Sequence, residues 1–297
     1  MKHMSDSYAF IVNPMAGKGR HLSSIRDIEN FCKSREISYA IAVTKRQQHA
    51  TDLAREFSKQ HSVIIAVGGD GTVNEVVNGM FGSLAVLGVL PIGSGNDFAR
   101  QMGYGRSVYK NLELIAQGKT KRIDVCQVDN ARYMINGCSL GFDGEVAAHF
   151  REYTKFISGF PAYLLSVFRI LPMYQFKSAQ IIFDGSHTII SKILLIAVCN
   201  GTTYGGGFKV APSAKMDDGV LTICVVKKTG KFYALRKLPQ FMRGTHVHLP
   251  EVETYTAKKV EISITPASVG QIDGEVLQAK KALLVKILKS ALSVITK

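Results

Sequence analysis

Several familiar signals are missing from this chain. Met1-Lys2-His3-Met4-Ser5-Asp6-Ser7 has none of the apolar core of a secretory leader. No run of about 18 uninterrupted apolar residues occurs, which argues against a membrane-spanning helix. The cysteines, Cys32, Cys126, Cys138, Cys199 and Cys224, lie far apart and form no CxxC pair, so a zinc site is not expected. Their apolar neighbours fit reduced, buried thiols. No arginine-rich arm, aromatic-interleaved RNA motif, internal repeat or low-complexity segment is present, and no nucleic-acid partner is expected. The expectation is a soluble cytoplasmic protein, with peripheral contact to the inner membrane surface left open.

What is present begins with charge. Net charge is +14 and the sequence pI about 9.5, with the cations dispersed along 297 residues. Such a balance favours anionic partners: phosphorylated ligands or an acidic membrane surface. The length suits one large or two ordinary domains.

Short apolar strands alternate with helical spacing through the first part of the chain. Strands are expected over Tyr8–Val12, Ile37–Val43, Val63–Ala66 and Ala85–Leu90, with helices over Leu22–Ser34 and Ala50–Lys59. This alternation argues for a parallel α/β sheet, whose ligands gather at the carboxyl ends of the strands. The loops at Asn13, Thr44, Gly69 and Gly93 all follow strands and would share one edge. Two of them are rich in glycine. Gly68-Gly69-Asp70-Gly71-Thr72-Val73-Asn74-Glu75 leads from a strand into a helix, where glycines admit close backbone approach and the first-turn amides favour an anion. The run is not a G-x-G-x-x-G fingerprint, and no Walker A Gly-Lys-Ser/Thr follows it, so phosphate would be held without a P-loop lysine. Gly93-Ser94-Gly95-Asn96-Asp97-Phe98-Ala99 repeats the arrangement, with Ser94 and Asn96 as candidate donors. Asp70 and Asp97 are awkward if they face phosphate directly. They suit the orientation of loop amides, lysines or cation-bound water, or a helix cap.

Beyond about residue 121 the pattern becomes β-rich. Ile123–Val128, Tyr133–Cys138, Gln180–Asp184, Thr188–Cys199, Val220–Val226, Val260–Thr265 and Val269–Asp273 read as strands. Turn signals such as Asp129-Asn130, Asp184-Gly185 and Asp217-Asp218-Gly219 separate them, and a sandwich is expected. Phe156–Tyr174 reads as an apolar helix, either packed on the sheet or forming a wall for an acyl chain through Phe156, Phe160, Leu164 and Leu165.

Together, the two glycine loops resemble the paired nucleotide loops of the diacylglycerol kinase catalytic-domain family, which includes bacterial lipid kinases and sphingosine and ceramide kinases. Asn13-Pro14 with Gly17-Lys18, Thr44 with His49-Ala50, Asn136-Gly137 with Gly141-Phe142-Asp143, and Asn200-Gly201 with Gly205-Gly206-Gly207 extend the resemblance. So do Pro212, Ala214, Asp217-Asp218-Gly219 and Asp273-Gly274-Glu275. Gln48 stands where the family often has glycine.

The resemblance implies an α/β nucleotide-binding domain of the NAD kinase/diacylglycerol kinase kind over 1–121. A β-sandwich lipid-substrate domain would follow over 122–297, its last residues being candidates to return to the first domain. The active site would lie in the cleft between them. It also implies ATP contacts from Asn13, Pro14, Met15, Ala16 and Gly17, from Thr44, and from Gly69, Asp70, Gly71, Thr72, Val73, Asn74 and Glu75. Ser94, Asn96 and Asp97 complete that set. Glu275 would be the general base, with Asp273 and Asp70 as further candidate catalytic carboxylates; a solvated turn residue is the plain alternative for Glu275. A structural Mg2+ would be held by the carbonyls of Lys215 and Val220 and the carboxylate of Asp218, unless that segment is an ordinary Asp-Gly turn. A second Mg2+ would arrive with ATP. The expected activity is ATP-dependent phosphorylation of a lipid hydroxyl at an anionic membrane, with a homodimer left open. Alternatives are a kinase for a sphingoid base or other lipid, a soluble NAD-type kinase, and a nucleotide- or lipid-binding protein without turnover.

Overall fold

The computed structural model describes residues 7–153 and 160–297, and their side chains except those of 18, 150–153 and 160–163. Two compact units divide the chain. One comprises the residues up to Ile123 with Ser290–Lys297, the other Asp124–Lys289.

In the first unit, β1 (Ser7–Val12), β2 (Ser38–Val43), β3 (Val63–Gly68) and β4 (Val86–Pro91) form a parallel sheet in the order β2-β1-β3-β4. The helices are α1 (Arg20–Ser34), α2 (His49–Phe57), α3 (Asp70–Met80), the short α4 (Asp97–Gln101) and α5 (Val108–Gln117). β3 is buried along its whole length, the expected state of a central parallel strand covered on both faces. This is why Val63–Gly68 is a continuous apolar run rather than an alternating one.

The second unit is antiparallel. Its elements begin with β5 (Thr120–Val128), which enters from the first unit at Asp124, and continue with β6 (Arg132–Met134), β7 (Gly137–Gly141), α6 (Phe142–Tyr153) and α7 (Phe160–Ile170). β8 (Lys177–Phe183), β9 (His187–Cys199), β10 (Leu221–Lys227) and α8 (Lys231–Arg243) follow. β11 (Val252–Ala257), β12 (Lys259–Ile272) and β13 (Glu275–Ile295) complete it. The last residues of β13 belong to the first unit, where Val294 pairs in parallel with Leu87 of β4.

Two cores share the strands of this unit. On β10, Leu221, Ile223 and Val225 enter a core between strands, while Cys224 and Val226 enter a second core with Phe142, Val146, Val167 and Leu171 of the helices. The two-residue side-chain period of a strand divides them. A β-sandwich core therefore carries an additional helical layer.

Several expectations are corrected. Tyr133–Cys138 is two strands, broken at Ile135-Asn136 where the amides turn to the carboxylate of Asp273. Val260–Thr265 and Val269–Asp273 are one strand, β12, whose pairing with β13 shifts register between Ser263, Ser268 and Gly270. Helices α5, α6 and α8 and strands β11 and β13 have no counterpart among the elements expected from the sequence. Of the apolar helix expected over Phe156–Tyr174, Phe156 and the side chain of Phe160 lie outside the described residues. Leu164 is half-buried and Leu165 exposed.

Candidate active site

At the carboxyl ends of β1, β3 and β4 three loops meet. A Cβ on Gly93 would stand 2.5 Å from the Cα of Gly69, so the two glycine loops touch backbone to backbone only because Gly93 lacks a side chain. Gly17, at φ +71°, leaves the same narrow space against the carbonyl of Ile92, where a Cβ would lie 2.5 Å from the oxygen. Side chains then tie the loops together. Asn13 Nδ2 donates to Thr72 Oγ1 at 2.9 Å, and its Oδ1 accepts from the amide of Met15 at 3.0 Å. Asp70 Oδ1 accepts from the amide of Phe98 at 3.1 Å, joining the start of α3 to that of α4. Asn96, itself at φ +56°, donates to the carbonyl of Gly93 at 2.8 Å. Asp97 is buried and pairs with Arg100.

This edge is suited to an anion. The helix dipole places positive potential at the first turn of α3. Ser94 and Met15 are exposed, while Pro14, Ala16 and Thr44 are half-buried. The amide of Thr44 donates to the carbonyl of Val12 at 2.9 Å, which holds the end of β2 against β1. Gln48 adopts φ +68°, the left-handed conformation that glycine takes without strain, so the departure from the family pattern keeps a glycine-like backbone.

Three of the expected nucleotide contacts are taken up by the fold. Val73 is buried and its amide closes the first helical bond to Gly69 at 3.1 Å. Asn74 is buried within α3 and accepts from Asn78 Nδ2. Glu75 Oε2 accepts from the amide of Ala50 at 3.1 Å, capping α2 rather than facing the loops.

In the second unit, Asp273 and Gly274 form a two-residue hairpin turn, with φ of +47° and +85°, and Ile272 pairs directly with Glu275. Asp273 is buried. Its oxygens accept from the amides of Ile135, Asn136 and Gly137 at 2.8, 2.9 and 3.0 Å. That carboxylate latches a break in the sheet. Glu275 is largely buried too and forms an ion pair with Arg132 at 2.8 Å, rather than lying solvated in a turn.

The segment after Pro212 is tied down by a carboxylate that the sequence reading did not select. Asp124, fully buried, accepts from the amide of Gly219 at 2.7 Å, while its own amide donates to the carbonyl of Met216 at 2.6 Å. Asn200 Nδ2 donates to the carbonyls of Asp124 and Ile135, both at 2.9 Å. Asp218 is exposed and accepts from the amide of Val220 at 3.1 Å, and Lys215 is exposed as well. Among the described residues, no cluster of three His, Cys, Asp or Glu side chains is placed to hold a metal ion. Asp143 accepts from the hydroxyl of Tyr204 at 2.8 Å. Burial raises its pKa, against the hydrogen bonds from Tyr204 and the amide of Gly144. Arg132 and Asp124 carry no local signature: each lies on a strand, far in sequence from the group it serves.

Among the described residues, no helix is long and apolar enough to cross a membrane. Residues 7–128 match the family model of the diacylglycerol kinase catalytic domain, and residues 136–296 match that of the YegS C-terminal NAD kinase β-sandwich-like domain. A diacylglycerol kinase from Bacillus subtilis strain 168 is 30% identical over 274 residues, spanning 89% of this chain and 88% of that protein. One from Staphylococcus aureus strain MRSA252 is 30% identical over 270 residues, 89% and 84% of the two chains. The crystal structure of a provisionally assigned diacylglycerol kinase from Bacillus anthracis str. Sterne superposes with a TM-score of 0.83 at 25% identity, covering 100% of this chain and 99% of that one. With both of its units matched, the chain belongs to the diacylglycerol kinase catalytic-domain family and carries that family's YegS-type β-sandwich.

Proposed function

We propose that this protein is an ATP-dependent lipid kinase that transfers the γ-phosphoryl group of ATP to the free hydroxyl of diacylglycerol. The observation that carries the reading is the contact of the two glycine loops, Gly69 against Gly93, with Asp70 latching the second loop to the first. Backbone amides gathered in this way neutralise and position a polyphosphate without a P-loop lysine. Asn13, Thr72 and Asn96 set the shape of the cradle. Pro14 to Gly17, Thr44, Gly71 and Ser94 lie along it. Asp70 and Asp97 act on the loops rather than on phosphate.

Phosphoryl transfer rests mainly on positioning and charge neutralisation. Glu275 is the base in this reading. As the lipid oxygen attacks the γ-phosphorus, the bond from phosphorus to the bridging oxygen of ADP breaks, and the hydroxyl proton passes to the carboxylate of Glu275. Arg132, paired with that carboxylate, fixes its orientation. For Mg2+, the carbonyls of Lys215 and Val220 and the carboxylate of Asp218 would be the ligands, three oxygens from one short segment and the donor type a hard cation takes while retaining several waters. Such a cation would supply positive charge and oriented water.

The test is ATP consumption across diacylglycerol, monoacylglycerol, phosphatidylglycerol, sphingoid base, ceramide, undecaprenol and NAD, with mass detection of the product. ADP release that requires diacylglycerol, with a product one phosphoryl group heavier, is the expected result. Turnover confined to NAD, or none with any acceptor, would exclude the reading.

A further inference from the structure

We infer that the outer face of α8, with the chain at Met173 beside it, is a docking surface for an anionic lipid bilayer. Two properties of α8 lead there. Its inner residues, Ala234, Leu235, Leu238 and Phe241, pack on the helical core, yet none of its residues is fully buried. Phe232, Arg236, Pro239 and Arg243 are exposed and follow one another at helical spacing, with Met242 adjoining them. The outward stripe thus alternates apolar and cationic groups, and Phe232 is 74% exposed. A helix of this kind lies in the plane of a membrane interface.

Charge selects the partner. No acidic residue occurs between Asp218 and Glu251, whereas Lys227, Lys228, Lys231, Arg236, Lys237 and Arg243 all do. Lys227 is neutralised by Glu253, and Glu251 reaches the helix through the hydroxyl of Tyr233 at 3.3 Å. The other five cations form no ion pair with a carboxylate among the described residues. Lys231 Nζ donates to the carbonyl of Pro172 at 2.6 Å, which sets Met173, 81% exposed, beside the start of α8. A shallow recess of about 260 Å3 between Tyr233, Arg236, Lys237 and Gln240 faces two cations. Exposed apolar side chains bordered by uncompensated cations are complementary to anionic headgroups over acyl chains.

The surface deepens the lipid-kinase reading, on which its biological use rests, but its test needs no turnover. The full chain is sedimented with vesicles of phosphatidylcholine containing phosphatidylglycerol, or of phosphatidylcholine alone, without ATP and at low and high salt. Binding is expected with the anionic vesicles only, with release at high salt. The double variant Arg236→Glu, Arg243→Glu should weaken it by at least about 25-fold, at roughly fivefold per cation removed. Phe232→Ser should weaken it while keeping the salt dependence. Both variants should melt as the parent does and phosphorylate a short-chain acceptor dispersed in detergent at the parental rate. Equal binding to neutral vesicles, or anionic binding unchanged in both variants, would overturn the inference whatever the activity. Loss of vesicle binding in a protein inactive on every lipid would sustain the surface and exclude the kinase reading instead.

Discussion

The two units build their candidate chemistry by opposite means. In the first, backbone brought close by neighbouring residues does the work: Gly69 and Gly93 follow adjacent strands, and Asp70 reaches the amide of Phe98. In the second, side chains from distant segments converge: Glu275 meets Arg132, and Asp273 meets Ile135 to Gly137. A local device leaves its mark in a short stretch of sequence. A device assembled by strand pairing does not.

This contrast can be broken from either side. The largest effect is expected for Glu275→Ala, which should lower kcat by about 10²- to 10⁴-fold, the range for loss of a general base, while leaving ATP affinity in a titration unchanged. Full turnover in that variant would remove Glu275 from the chemistry. Gly93→Ala attacks the other unit. Its Cβ would meet the Cα of Gly69 at 2.5 Å, so the loops must part. At an overpacking cost of about 1–3 kcal/mol, ATP should bind some 5- to 150-fold more weakly. Unaltered affinity would mean that the loop contact is incidental.

Smaller changes address stability. Asp273→Ala strands three amides in the sheet and should cost about 3 kcal/mol or more in denaturant unfolding, whereas a change below about 0.5 kcal/mol would deny the latch. His246 gives the smallest effect. It is fully buried and stacked on Phe241 at 4.0 Å; burial lowers its pKa below the ordinary 6.5, against the hydrogen bond between its Nε2 and the carbonyl of Val210. The unfolded chain therefore takes up this proton first. Stability should fall as pH drops below 6.5 and level off once the lower folded pKa is passed. The slope is at most about 1.4 kcal/mol per pH unit. His246→Gln should flatten it, and an identical slope in the variant would assign the acid sensitivity elsewhere.

The legibility of the fold follows the same division. The parallel strands of the first unit could be read because each is a short apolar run closed by a turn, and glycine loops announced the edge. β9 and β10 were legible as apolar runs, though their division between two cores is invisible in a run apolar on both faces. β13 was missed because its 21 residues include Lys280, Lys281, Lys286 and Lys289 and lack a clear alternation. α8 was missed because Pro239 and its cations obscure a weakly apolar inner face. In the site, Asp273 is a candidate carboxylate that holds backbone, and nothing local in the sequence distinguishes a latch from a base. Arg132 was overlooked because its partner lies across the hairpin strands.

The most direct test of the account is hydrogen–deuterium exchange of the full chain with and without MgATP. If the glycine loops form one nucleotide cradle, amides in residues 69–72 and 93–98 gain protection together, and those of 13–17 follow. Protection of neither glycine loop, or of one without the other, would contradict it.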